Sequence, residues 1–231
     1  MANGAMPLGD RLLELPLFEG LGAAALARIA AGANEVNARS GAVIFKRGDA
    51  CRGLYIVISG QVKLALEAAQ GGEQVVELVG SGGTLGETAV FLDCPYVLTA
   101  ETLADTLLVF VAKAIVLAEL ASTPEFTRGI ITVLSRRLQL LIGALEDCTL
   151  RSGTERVIGY LLDRLPADAV NGQAMVTLTT KKGIIASQLS LTHEHFSRIL
   201  RALATEAMIE VDGRTVHIRD TDRLRTYCLQ S

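Results

Sequence analysis

No Cys-x-x-Cys pair occurs in the chain, no histidine precedes position 193, and no apolar run is long enough to cross a bilayer. The four cysteines, Cys51, Cys94, Cys148 and Cys228, are scattered. Zinc knuckles and cluster-binding runs need closely spaced thiolates, so both are excluded, and reduced structural thiols are expected. A membrane-spanning helix needs about 18 or more apolar residues in a row. The richest helical stretch, 130–145, is interrupted by Arg136 and Arg137. The opening MANGAMPLGDRLLELPLFEG lacks the basic start and apolar block of a secretory signal. Cytoplasm is therefore the expected compartment, with no membrane partner. Nucleophile–base pairing, metal-ligand spacing and a phosphate-cradling loop are missing too, which argues against an enzyme.

Strong charge is also lacking. The net charge is -3, with 12 Lys+Arg against 16 Asp+Glu in residues 1–152 and 10 against 9 in residues 153–231. The tilt has the sign that nucleic acid favours, but it is small. A basic footprint has to come from local placement of Lys181, Lys182, Arg198, Arg201 and Arg214.

What is present is a chain of 231 residues, half of them apolar, enough for one large or two modest domains. Residues 10–34 have a helical period. Residues 35 to about 111 alternate, with glycine punctuation, through AVIFKRGD, LYIVISG, QVKLALE, EQVVELVG, VLTAETL and TLLVFVA. Short strands spaced so regularly predict an antiparallel barrel or jelly roll. Gly60, Gly72 and Gly86 read as turn residues. The helical period returns from 113 to 150. There Ile131, Leu134, Leu138, Leu141, Leu145 and Cys148 step by three and four as coiled-coil seam positions do, while Ile130, Val133, Leu140 and Ile142 lie off the seam. Such a helix is expected to pack one face on the barrel and the other on a second copy. Cys148 reads as a small apolar filler or an interchain thiol. RSGT at 151–154 then breaks the pattern, with Gly153 and Thr154 as hinge and cap. The expected division is a sensor at 1–112, a dimerisation helix region at 113–150 and a DNA-binding domain at 151–231.

The stretch KKGIIASQLSLTHEHFSRILRAL, residues 181–203, is the most informative. One helical pattern stops around Ser190, and Thr192 is a good N-cap for the next, with Glu194 in its first turn. Phe196, Ile199, Leu200 and Leu203 form an apolar stripe, leaving His193, Glu194, Ser197, Arg198 and Arg201 to point elsewhere. MIEVDGRTVHIRD then reads as a hairpin turning at Asp212-Gly213, with Arg214 at its tip. The order predicts a winged helix–turn–helix, whose second helix docks in the DNA major groove. Metal binding by His193 and His195 is not expected, because residues two apart on a helix diverge.

The sequence of barrel, long helix and winged helix resembles the CRP/FNR superfamily of bacterial transcription regulators. The resemblance runs from about Leu15 to about Arg219. LSLTHEHFSRIL carries the FNR-type pattern E-x-x-S-R. It implies that Glu194, Ser197 and Arg198 read bases and that Lys182, Thr192, His195 and Arg214 touch phosphate, a group to which Arg201 is added. In the CRP subgroup an Arg precedes that Glu and a Gly precedes the final Arg; His193 and Ser197 stand there instead, which implies a TTGAT…ATCAA-type inverted repeat. A homodimer on double-stranded DNA, with RNA polymerase as a partner, is implied by the same resemblance.

In the sensor, GETAVFLDCPYVLTAETL is similar to the superfamily's phosphate-binding cassette only at Gly86-Glu87. Tyr96 and Val97 stand where cyclic-nucleotide binders carry an Arg-Ser pair, and Leu141 and Ile142 stand where hydroxyl side chains contact adenine. A buried phosphate without a cation is costly, so cAMP is not expected to bind. The cassette looks most like the DNR branch, the nitric-oxide-responsive regulators of denitrification, in which haem is the proposed sensor. An apolar pocket lined by Phe91, Leu98, Leu141 and Ile142 could hold haem. A proximal His from the sensor is excluded, so Cys51, Cys94, Tyr96, Met6 or the terminal amine would have to serve. The iron–sulfur chemistry of FNR lacks its N-terminal cysteine cluster here. Glu87 reads either as a ligand-hydroxyl partner or as a brace for its loop. Two alternatives stay open: a cyclic-nucleotide-responsive regulator, and a ligand-binding module whose winged helix contacts a partner protein.

Overall fold

A computed structural model describes residues 8–67, 72–166 and 172–228. In chain order, α1 (Leu8–Leu13), a 3-10 turn (Pro16–Phe18) and α2 (Ala23–Ala31) lead into β1 (Ala33–Ala38), β2 (Val43–Phe45), β3 (Gly53–Ser59), β4 (Val62–Glu67), β5 (Glu73–Val79) and β6 (Thr84–Leu85). The short α3 (Glu87–Phe91) precedes β7 (Thr99–Thr102) and β8 (Thr106–Ala112), and then come α4 (Lys113–Ser122) and α5 (Pro124–Leu150). The chain divides within α5 into two compact units, Met1–Gln139 and Leu140–Ser231.

The first unit is an antiparallel jelly roll of two four-stranded sheets, ordered β1-β8-β3-β6 and β2-β7-β4-β5. Residue pairing explains why β3 and β8 read as nearly unbroken apolar runs. Val57 pairs with Leu108, and both join the cluster between the sheets with Phe45, Val62, Leu64 and Leu85. Ile56 pairs with Val109, and both face a second cluster with Leu17, Phe18, Ile29, Phe126 and Ile130. A sheet covered on both faces has no polar side to alternate with. β1 and β6 fell outside the strand segments quoted above, because β1 (ANEVNA) is half polar with a single β-branched residue and β6 is two residues long. Arg28 of α2 staples α4 to this layer through both oxygens of Glu119, at 2.6 and 2.8 Å, and Thr123 adds its hydroxyl at 2.8 Å.

Twenty-seven residues at about 1.5 Å each make α5 about 40 Å long. Among them only Phe126 and Ile130 are buried. Leu134 is half-buried against the first unit's core. Ile131, Leu138, Leu141 and Leu145 are 43–64 % exposed, and Cys148 is exposed as well, so it fills no core in the single chain. The off-seam Leu140 and Ile142 are equally bare, at 66 and 56 %.

The second unit adds α6 (Gly153–Leu162), β9 (Ala174–Thr177), α7 (Lys182–Gln188), α8 (His193–Thr205), β10 (Ile209–Asp212), β11 (Thr215–Ile218) and α9 (Thr221–Cys228). Its sheet runs β10-β11-β9, antiparallel throughout. The break after α5 is capped by Ser152 rather than Thr154. The Ser152 hydroxyl accepts from the Glu155 N–H while the Glu155 carboxylate accepts from the Ser152 N–H, a capping box. The wing turns at Gly213-Arg214, one residue later than the Asp-Gly dipeptide suggested, because Asp212 pairs with Thr215 in the ladder. Gly213 has φ 56, which a tight hairpin requires at its first loop position.

Candidate nucleic-acid interface and effector site

α8 is held by one side. Phe196, Ile199, Leu200 and Leu203 are 0–6 % exposed, packed with Ile158, Leu161, Ile185, Ala186 and Val216. Four such side chains contribute about 1.5–3 kcal/mol each, and they fix the rotation of the helix about its axis. The Thr192 hydroxyl accepts from the His195 N–H at 3.1 Å and caps the start. With rotation and start fixed, Glu194, Arg198 and Arg201 stand one turn apart along the opposite, exposed face. Ser197 is half-buried and lines a groove with Lys182, Arg201, Glu210 and Arg219, between the helix and β10. Arg214 is exposed in the wing loop, which Leu178 pins by donating its N–H to the Arg214 carbonyl at 2.8 Å. Among the described residues, Glu194, Arg198, Arg201, Arg214 and Lys182 have no ion-pair partner. His195 is placed differently from the others. Its ring rests near Gly153, with Cε1 3.2 Å from where a Cβ on that glycine would stand.

The barrel carries its own cluster of charge. Glu87 is 1 % exposed at the start of α3. One carboxylate oxygen accepts the Thr84 hydroxyl, and the other accepts from Arg137 of α5 at 2.9 Å. Arg137 also donates through Nε to Glu77 at 2.7 Å. Burial pushes the Glu87 carboxyl up, against the pull of Arg137. For Arg137 burial opposes the charge, yet Glu87 and Glu77 together raise its pKa. Glu87 is thus held at its turn by Thr84 and Arg137, and the cation that engages it was read from the sequence only as an interruption of an apolar stretch. Tyr96 is buried, stacked 3.9 Å from Phe45, and donates its hydroxyl to the Gly53 carbonyl at 2.8 Å. Gly86 has φ 92, and a Cβ there would stand 2.8 Å from the Tyr96 ring. The turn therefore requires glycine both for its backbone angle and for the ring lying on it.

The cyclic nucleotide-binding domain matches residues 35–123, and the Crp-like helix-turn-helix domain matches residues 155–227. The crystal structure of DNR from Pseudomonas aeruginosa is 30% identical, covers 96% of this chain and 99% of its own, and superposes with a TM-score of 0.51. The chain belongs to the CRP/FNR family. Its similarity to the CRP-like cAMP-activated global transcriptional regulator of Mycobacterium tuberculosis is 27% over 219 residues, 94% of this chain and 98% of that one. A CooA double mutant from Carboxydothermus hydrogenoformans, at 16% identity, shares the fold with a TM-score of 0.76 over 97% of this chain and 96% of its own.

This CRP/FNR member is thus a transcription regulator with a DNA-binding helix–turn–helix, not an enzyme. Gly86, Glu87 and Tyr96 do come together, around the α3 turn. Phe91 packs on the helical layer and Leu98 on the cluster between the sheets. Val97 is 45 % exposed, and Leu141 and Ile142 stand bare in the second unit. Among the described residues, two of the candidate haem donors are already engaged. The Tyr96 hydroxyl and the Cys51 thiol both point at the Gly53 carbonyl, the thiol at 3.7 Å. Cys94 is half-buried against the inter-sheet cluster, and Met6 and the terminal amine lie outside the described residues. Among the described residues no group of three or more His, Cys, Asp or Glu side chains could hold a metal ion. No helix there is long and apolar enough to cross a membrane.

Proposed function

We propose that this regulator works as a homodimer that reads a TTGAT…ATCAA-type inverted repeat, with Glu194, Ser197 and Arg198 of each α8 on base edges. The observation that carries the reading is the unpaired stripe Glu194–Arg198–Arg201 on a helix whose other side is locked into the core. Arg198 suits the two acceptors of guanine, and Glu194 suits the amino group of cytosine. Lys182, Thr192, His195, Arg201 and Arg214 supply phosphate contacts that set position without reading sequence. Two-fold DNA sites are read by two-fold proteins, and the bare seam Ile131, Leu138, Leu141, Leu145 and Cys148, with Leu134 at its edge, supplies the surface for the second copy.

The barrel is the sensor in this reading, and an effector acts by binding two arrangements of the dimer unequally. The site around Glu87 selects against a cyclic phosphate. Its cation is committed to two carboxylates, and a buried neutral phenol fills the place where nucleotide binders carry their arginine. A gel shift tests the DNA reading. Arg198→Ala should cost about 1–3 kcal/mol on the repeat and relax choice at one base pair, whereas Lys182→Ala should weaken all duplexes alike and flatten the salt dependence. Full affinity and selectivity in the Arg198→Ala variant would refute the assignment.

A further inference from the structure

Three successive residues of the helix–turn–helix turn are each gripped by a different point on the junction between α5 and α6. Arg156 of α6 donates NH1 to the Leu189 carbonyl at 2.7 Å. Cys148, in the last turn of α5, places its sulfur 3.2 Å from the Ser190 hydroxyl and 4.0 Å from the same Arg156 NH1. Leu191 packs on Gly153, with its Cδ2 3.1 Å from where a Cβ would stand and Ile199 of α8 at 3.4 Å. A Cβ on Gly153 would require Leu191 and His195 to give by a few tenths of an ångström.

The turn itself is under strain. Ser190 has φ 54, a left-handed angle that a residue with a Cβ adopts at a cost, and such angles persist where the surroundings over-determine them. The Arg156 guanidinium is half-buried, and its Nε has no hydrogen-bond partner among the described residues. A charged donor held in this way on a turn carbonyl fixes the position of the turn relative to α6.

We infer that Arg156, with Cys148 and Ser190, is a positioning element for the recognition helix, clasping the turn before α8 to the end of α5 so that the direction of α5 is passed to α8 without an intervening flexible link. The inference rests on the reading of α8 as the base-contacting helix. A rigid clasp affects the angle at which α8 meets the groove. It therefore governs discrimination between sequences rather than general attraction to phosphate.

The test is a competition gel shift of a TTGAT…ATCAA duplex against a scrambled duplex of equal length, at several salt concentrations. Arg156→Ala should lower the specific-to-scrambled affinity ratio about tenfold with the salt dependence unchanged, and Arg156→Lys, which can still reach the carbonyl, should recover most of it. Ser190→Gly relieves the strained angle but deletes the hydroxyl. It should melt no lower than wild type and still lose discrimination, a pairing that a purely structural role would not produce. If Arg156→Ala does not fold, Ser190→Gly decides alone. Arg198→Ala serves as the reference. Unchanged ratios in the clasp variants beside a lost ratio in Arg198→Ala would overturn the clasp, and an unchanged Arg198→Ala would overturn the DNA reading beneath it. Equal weakening of both duplexes by Arg156→Ala with a flatter salt dependence would also overturn the clasp, by making Arg156 a phosphate contact.

Discussion

Replacing Arg137 with Met should destabilise the jelly roll, and the loss should depend on pH in a direction that identifies its cause. Glu87 is 1 % exposed and, among the described residues, is ion-paired with Arg137, whose own side chain is 18 % exposed. Without that guanidinium the carboxylate cannot stay buried and ionised, and taking up a proton is the cheaper course. The ceiling on the loss is the free energy of protonating a free Glu of pKa about 4.3, which is about 3.7 kcal/mol at pH 7 and about 1 kcal/mol at pH 5. Burial already pushes Glu87 up beside Arg137, so the measured loss lies under this ceiling. The sign follows from linkage. In the variant the folded-state pKa of Glu87 rises further above its unfolded value, so the folded variant holds a proton that the unfolded chain releases. Its stability relative to wild type is greatest below about pH 4 and drains as pH rises through that range, by about 1.4 kcal/mol per unit. The assay is a urea titration at pH 5, 6 and 7, read by hydrogen exchange of peptides from β3 and β8, which separates the roll from the winged helix. Adding Glu87→Gln should abolish the pH dependence and restore most of the stability. A deficit that is the same at pH 5 and pH 7 would refute the buried-pair reasoning.

Phe196→Ala removes a side chain that is 0 % exposed at the centre of the winged-helix core; it should cost about 3–5 kcal/mol in urea unfolding of the second unit and abolish DNA binding. Leu138→Glu with Leu145→Glu alters side chains 59 and 64 % exposed in the single chain, so each should change its folding by no more than about 0.5 kcal/mol while sedimentation velocity shows loss of the dimer. The hydrogen bond from Arg28, aided by Thr123, holds the Glu119 carboxyl below its ordinary range, so its contribution is present at neutral pH and lost as pH falls below about 4. Glu119→Gln should accordingly lower thermal stability at pH 7 and flatten its decline in acid, measured by circular dichroism.

The parts that were legible in the sequence are those written by local period. The stripe Phe196–Ile199–Leu200–Leu203, the cap at Thr192 and the exposed polar face of α8 all follow from spacing along one helix. Most strands of the roll were legible for the same reason, though β1, six residues long, was not. What escaped reading joins residues far apart in the chain. Arg137 meets Glu77 and Glu87 across 60 and 50 residues, and Cys148 meets Ser190 across 42, and no spacing rule links such positions. β9 escaped because it is four residues long and takes its order from β11. One clue was available. Arg136 and Arg137 interrupt the richest apolar stretch of α5, and Arg137 answers to Glu77 of β5 and Glu87 of α3.

The modest net charge was the weakest argument for DNA binding, and the distribution of ion pairs explains why. In the first unit five cations are engaged by neighbours: Arg11 by Glu35, Arg28 by Glu119, Lys63 by Glu73 and Glu101, Lys113 by Asp93, and Arg137 by Glu77 and Glu87. In the helix–turn–helix, Lys182, Arg198, Arg201 and Arg214 have no such partner among the described residues. A sum over the whole chain subtracts acids that are already neutralised locally from bases that remain free. On the recognition helix and wing the unpaired bases act together with Glu194, the unpaired acid of the same face, and salt screens exposed charges more than about 8 Å away. An acidic protein can therefore present a basic edge, and the quantity that matters for DNA is the number of unpaired cations on one face.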